Sequence, residues 1–133
     1  MTKVKRHQER IWALQVLYGL DLTNTLEEEA ARRRIDFFKE ERLLTGSYYF
    51  EELVLGVVAN KESLDQEIDQ RAINWSLERI GYIERNILRI ALFEIDQGLP
   101  IGVAINEAVE LAKEYVDERS AGFINGILSK ERD

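Results

Sequence analysis

The chain has no cysteine, one histidine and one proline among its 133 residues. Without cysteine there is no disulfide framework, no thiolate zinc site and no cysteine nucleophile. The single histidine, His7, excludes multi-histidine metal centres and leaves one awkwardly placed candidate for a histidine-based triad. Every long apolar run is broken by charge, so nothing reads as a membrane span or a signal peptide, and the expected location is the cytoplasm. Also missing are a phosphate-cradling glycine loop, a His-Glu metal motif and a glycine-flanked serine elbow. Carboxylates abound, but Glu107, Glu110 and Glu114 recur at the spacing of an ordinary solvated helix face, not as a buried acid pair. The expectation is a protein that is not an enzyme and carries neither metal nor cofactor.

What is present suits a folded single domain: 45% hydrophobic and 32% charged residues, in a chain long enough to bury roughly two-thirds of its unfolded surface. The formal net charge of −7 argues against nucleic acid, since the body repels phosphate. That average hides an asymmetry. Residues 1–10 hold Lys3, Lys5, Arg6 and Arg10 against Glu9, a balance of +3, which leaves −10 on the rest. A basic arm on an acidic body offers two faces to two kinds of partner.

One proline, eight glycines and helical spacing nearly throughout predict an all-α fold. Residues 11–22, IWALQVLYGLDL, are apolar around the whole wheel, so a first helix over about 4–22 is a buried one with charged N-terminal turns. Asn24 and Thr25 offer a break and an N-cap for a helix over about 26–40. There Glu28–Arg32 and Glu29–Arg33 lie at i,i+4, which favours a solvated face paired with Glu27 to Glu29 over a phosphate site for the Arg32–Arg34 run. Phe50, Leu53, Val54, Val57, Leu64 and Ile68 keep one rhythm across Gly56 and Asn60, predicting one long helix over about 46–72 with Glu51 as a capping partner. Ile73-Asn74-Trp75 is a joint between halves of about 1–73 and 74–133 that are not independent. A short turn near 76–80 follows, then helices over about 82–97, 103–116 and 119–131. Their inward residues run from Ile83 to Ile95, from Ile105 to Val116 and from Phe123 to Leu128.

Three segments stand out. In KVKRHQERIWALQVLYGLDL (3–22), Lys3, Arg6 and Arg10 fall within about 60° on a helical wheel, a face that can follow a phosphate backbone. Tyr18 lies on the same side and can stack a base, or it is a core tyrosine behind a merely solubilising arm. In INWSLERIGYIERNILRIALFEI (73–95), Arg85 and Arg89 read as structural cations paired with Glu84, Glu94 or helix ends. In AINEAVELAKEY (104–115) and SAGFINGIL (120–128), Asn106 and Asn125 read as satisfying backbone groups, and Gly122 and Gly126 as allowing close helix approach.

Taken together, in this order and spacing, these segments resemble the NusB family of bacterial transcription antitermination factors. The collinear set covers essentially the whole chain: the basic N-terminus leading into ALQVLY, then LVLGV, NWSLERI, RNILRIALFEI, INEAVELAKEY and FINGIL. The resemblance implies an all-α domain of about seven helices in two perpendicular bundles. It also implies an RNA-binding adaptor that binds boxA of ribosomal RNA leaders with NusE, a small-subunit ribosomal protein. That complex joins elongating RNA polymerase with NusA and NusG; no membrane is involved, and relatives occur as monomers and as homodimers. Carried onto this chain, RNA would meet Lys3, Lys5, Arg6, His7, Arg10, Tyr18 and Phe123, and Glu84 would face NusE. Arg6-His7-Gln8 stands where the family often has an arginine run, which thins the arm. Arg119 occupies a place that is acidic in some relatives; it adds a phosphate contact or caps a helix, and both readings stay open. The rival function is a helical protein-interaction module without specific RNA binding.

Overall fold

The computed structural model describes residues 4–73 and 75–130, and among these every regular element is helical. The α-helices are α1 (Arg6–Leu22), α2 (Glu28–Arg42), α3 (Tyr49–Ala59), α4 (Lys61–Arg71), α5 (Tyr82–Asp96), α6 (Ile101–Tyr115) and α7 (Glu118–Leu128), with a 3-10 turn at Leu77–Arg79. The all-α, single-domain expectation holds. α1, α2 and α3 pack on one another, and α5 is the hub that touches α1, α3, α4, α6 and α7. The core is continuous, running from Leu14, Leu17 and Leu20 of α1 through Phe50, Leu53 and Val57 of α3 to Ile87, Leu88 and Leu92 of α5 and Ile124 of α7.

The expected helix over 46–72 is two helices. Asn60 ends α3 and opens α4, with φ −112° and ψ 17°, and its side-chain amide donates to the Gly56 carbonyl at 2.7 Å. The apolar rhythm continues across the break, which is why periodicity alone read through it. The start also moves, to Tyr49: Gly46 sits at φ +84°, a conformation that disfavours any side chain. The expected Glu51 cap is present, its carboxylate accepting from the Tyr48 backbone N–H at 2.7 Å.

Thr25 does not cap α2. The Thr23 hydroxyl donates to the Gly19 carbonyl at 2.9 Å and that of Thr25 to the Leu20 carbonyl at 3.3 Å, so both close the end of α1. Asn24, at φ +55°, turns the chain there. Phe37 of α2 is 62% exposed, and Val116, expected to face inward, is exposed because the chain leaves helical geometry there (φ −130°, ψ −93°). Close helix approach occurs at Gly56, where any Cβ would overlap the Phe93 ring; Gly122 and Gly126 face open space. Asn106 and Asn125 are exposed rather than set in helix contacts. On α2, Arg32 pairs with Glu28 at 2.9 Å and Arg33 with Glu29 at 3.0 Å, as expected for a solvated face.

Arg85 and Arg89 are structural cations, but their partners are Asp21 and Asp65. Arg85 grips Asp21 with two bonds of 2.7 Å. Arg89, 1% exposed, donates to Asp21 at 2.8 Å and to the two oxygens of Asp65 at 2.7 and 3.0 Å. The amide of Asn86 adds a fourth bond to Asp21 at 2.9 Å. This network ties the C-terminal end of α1 to α5 and α4, and it fixes the helix turn from which Tyr18 projects.

Candidate nucleic-acid interface

Lys5 and Arg6 are exposed at the N-terminal end of α1, while Lys3 lies outside the described residues. The Arg6 guanidinium rests 3.9 Å from the centre of the Tyr49 ring and 3.4 Å from Glu9, a surface cation held on an aromatic face. Glu9 itself points inward and accepts from the Phe50 backbone N–H at 3.2 Å.

Arg10 is a correction to the sequence reading. It is 5% exposed, and its Nε donates to both oxygens of buried Glu94 at 2.9 and 3.1 Å, with Glu107 at 3.5 Å from its Nη1. The Tyr49 hydroxyl donates to the same Glu94. Burial opposes the charge on Arg10, and Glu94 more than offsets it, so its pKa is raised. The three-cation face of the wheel therefore loses one member to the core. Burial first, then the Glu94 bond, also pushes up the Tyr49 phenol.

His7 sits between two carboxylates, Nδ1 at 3.1 Å from Glu107 and Nε2 at 2.8 Å from Glu114. These bonds, Glu107 first, raise its pKa and favour the imidazolium. The glutamates of α6 read as a solvated face thus include two that bolt the arm to the body. The cation they hold is largely neutralised before it meets any phosphate.

Tyr18 is on the surface, 36% exposed, not in the core. At 1.5 Å rise per residue it stands about 18 Å along α1 from Arg6. Its ring meets Tyr82 edge to face (6.4 Å between centroids, 81°), and the Arg85 guanidinium lies 4.2 Å from the Tyr82 centroid. Phe123, half-buried on α7, makes a second edge-to-face pair with Trp75 (5.7 Å, 70°). Glu84, in the first turn of α5, accepts from the Ser120 hydroxyl at 3.4 Å. Tyr18 and Tyr82 thus meet at the opposite end of α1 from Lys5 and Arg6, and the Ser120–Glu84 bond joins the start of α5 to the start of α7, the helix that carries Phe123. The sequence reading took Trp75 only as part of a joint and did not single out Tyr82. Their signal was weak, because an aromatic at a helix start or a joint looks like a packing residue until its exposure is known.

Arg119 is exposed and makes no hydrogen bond or ion pair among the described residues; the cap of α7 is Asp117, which accepts from the Ser120 N–H at 2.8 Å. The helix-cap reading of Arg119 therefore falls to its neighbour. No group of three or more metal-binding side chains is found among the described residues, and none of the described helices is long and apolar enough to cross a membrane.

Fold and site define a class: an all-helical domain presenting a cationic helix end and two edge-to-face aromatic pairs. The chain belongs to the NusB family, whose sequence profile matches residues 7–132. It is 53% identical over 129 residues to the transcription antitermination protein NusB of Halothermothrix orenii, covering 96% of each chain. It is 42% identical over 132 residues to that of Bacillus cereus, covering 98% of each. Among solved structures it resembles a complex of the antitermination factors NusB and NusE with double-stranded RNA (TM-score 0.78, 30% identity, 95% of this chain and 96% of that one). It also resembles T. maritima NusB (TM-score 0.77, 28% identity, 96% and 89%).

Proposed function

We propose that this chain is an RNA-binding transcription antitermination factor, not an enzyme, which binds boxA-type single-stranded RNA of ribosomal RNA leaders together with NusE. In this reading it acts in the cytoplasm and joins elongating RNA polymerase with NusA and NusG. The observation that carries it is the surface position of Tyr18: the residue that the family resemblance assigns to RNA stands exposed beside Tyr82, where a core role would have buried it. Lys5, Arg6 and Arg119, with Lys3, supply the cations; Tyr18 and Phe123 supply ring faces. Arg10 and His7 support the arm from behind.

The acidic body has a use in the same scheme. It limits how much of a strand the lone protein holds, and it attracts a basic ribosomal protein, with Glu84 on the surface that faces it. RNA binding by the pair is then tighter than by the chain alone, with coupling of about 1–3 kcal/mol that is reciprocal between RNA and partner. Titrating labelled boxA-like RNA and a scrambled strand, with and without NusE, tests this. Preference for the boxA-like strand that sharpens with the partner is the expected result, and Glu84→Lys should weaken the pair while sparing the lone chain. Equal binding of both strands under both conditions would favour the protein-interaction module instead. A homodimer closed over the same surface is the competing state, and sedimentation of the RNA-free protein looks for it directly.

A further inference from the structure

Trp75 and Tyr82 are large aromatic side chains left 49% and 40% exposed, and neither joins the buried core. Each sits edge to face, at a steep angle, with one of the two rings assigned to RNA: Tyr82 with Tyr18 at 81°, and Trp75 with Phe123 at 70°. Edge-to-face geometry at these distances is favourable in itself, so the rings hold their positions before any ligand arrives. Tyr82 is held further. Arg85 lies against its ring, and Arg85 is in turn clamped by both oxygens of Asp21.

We propose that Tyr82 and Trp75 are RNA-contacting residues that form, with Tyr18 and Phe123, two steep-sided ring corners, each receiving one base of a single strand. The proposal rests on the RNA-binding reading above. A base in such a corner lies flat on one ring and turns its edge to the face of the other, so it gains two ring contacts in place of one. Because the corner is already formed, little side-chain ordering is lost on binding. The contact tolerates different bases, since every base has a π-face. It adds affinity and sets the path of the strand between α1, α5 and α7. Sequence choice is left to hydrogen-bonding groups elsewhere.

The test uses the full chain, with and without NusE, and a short fluorescein-labelled boxA-like RNA read by polarisation. Tyr82→Ala and Trp75→Ala should each weaken binding about ten-fold, the scale of one lost base stack, with unchanged melting. Tyr82→Phe and Trp75→Phe, which keep a ring, should stay within about three-fold on the same grounds. Trp75 is also one of only two tryptophans. Unlabelled RNA should quench its emission in the wild type, and Trp75→Phe should remove that quench while Trp12 stays unchanged. Wild-type affinity in both alanine variants, or saturation by RNA without any change in Trp75 emission, overturns the proposal. Failure of the wild-type chain to bind RNA in either condition overturns the RNA reading itself, and polarisation tells the two failures apart.

Discussion

Replacing Arg89 by methionine tests the buried charge network that holds α1 against α5. Methionine keeps most of the length and apolar volume of the arginine, so little cavity is left; what disappears is the guanidinium. Asp65 then loses bonds of 2.7 and 3.0 Å and keeps Lys61 at 3.5 Å. Asp21 loses one bond of 2.8 Å and keeps Arg85 and Asn86. Removing one side of a buried pair costs about 3–5 kcal/mol. The partners that remain put the expected loss near the lower end, about 3 kcal/mol. For a domain of this size that lowers the melting temperature by roughly 10–15 °C.

The pH series sharpens the test. Burial opposes the charge on Asp21, but the Arg85 hydrogen bonds, the Arg89 charge and the Asn86 amide outweigh it, holding the carboxyl below its ordinary 3.8. A folded pKa below the unfolded one contributes stability that is complete above the unfolded value and is lost as pH falls through the folded value. The gap between wild type and Arg89→Met should therefore be full at neutral pH and shrink below about pH 3.8. Urea denaturation across that range measures it. A gap under about 1 kcal/mol at neutral pH, the size of an ordinary single hydrogen bond, refutes the reasoning. So does a gap that acid leaves unchanged.

The two arginines of the arm should behave oppositely. Lys5→Ala with Arg6→Ala should flatten the salt dependence of RNA binding by about 1.4 in slope, at about 0.7 per phosphate on a single strand, without altering melting. Arg10→Ala should instead cost about 3–5 kcal/mol of stability in denaturation, because it leaves Glu94 buried with no cation. His7→Gln reports on the two glutamates. The raised His7 pKa means that its contribution is complete below the ordinary 6.5 and fades as pH rises through the folded value, so variant and wild type should differ in acid melts and converge in alkaline ones. Convergence in acid would contradict the assignment. Gly56→Ala should cost about 1–3 kcal/mol, since the new methyl overlaps the Phe93 ring, and equal stability would show that the ring moves aside freely.

Much of the fold was legible locally. The buried stripe of α1, the paired face of α2 and the starts and ends of α5, α6 and α7 follow from a spacing of three and four residues, and the structure places them within two or three residues of expectation. The long helix over 46–72 was read through its break because the stripe runs on past Asn60, and only the Asn60 side chain, taking the Gly56 carbonyl, marks the bend. In the site, Arg6 and Tyr18 follow from the helical wheel, and Lys5, Phe123 and Glu84 from family likeness; all five stand on or near the surface. Tyr82 and Trp75 were not legible, because edge-to-face partners lie on other elements.

The helical class, the lack of thiol and multi-histidine chemistry, the basic arm on an acidic body and the family were all readable from the chain of residues alone. These follow from composition, from periodicity over a few residues and from collinear motifs, none of which needs contact information. Only the tertiary structure decided which charges remain available. Arg6 and Arg10 share a helical face four residues apart, yet one meets solvent and the other meets Glu94, 84 residues further along the chain. Asp21 likewise finds Arg85 across 64 residues. A helix sets the direction of a side chain, but its partner is set by whichever helix packs there. Desolvation then separates them: a cation enclosed with a carboxylate becomes part of the fold, while the one left in water stays available for phosphate.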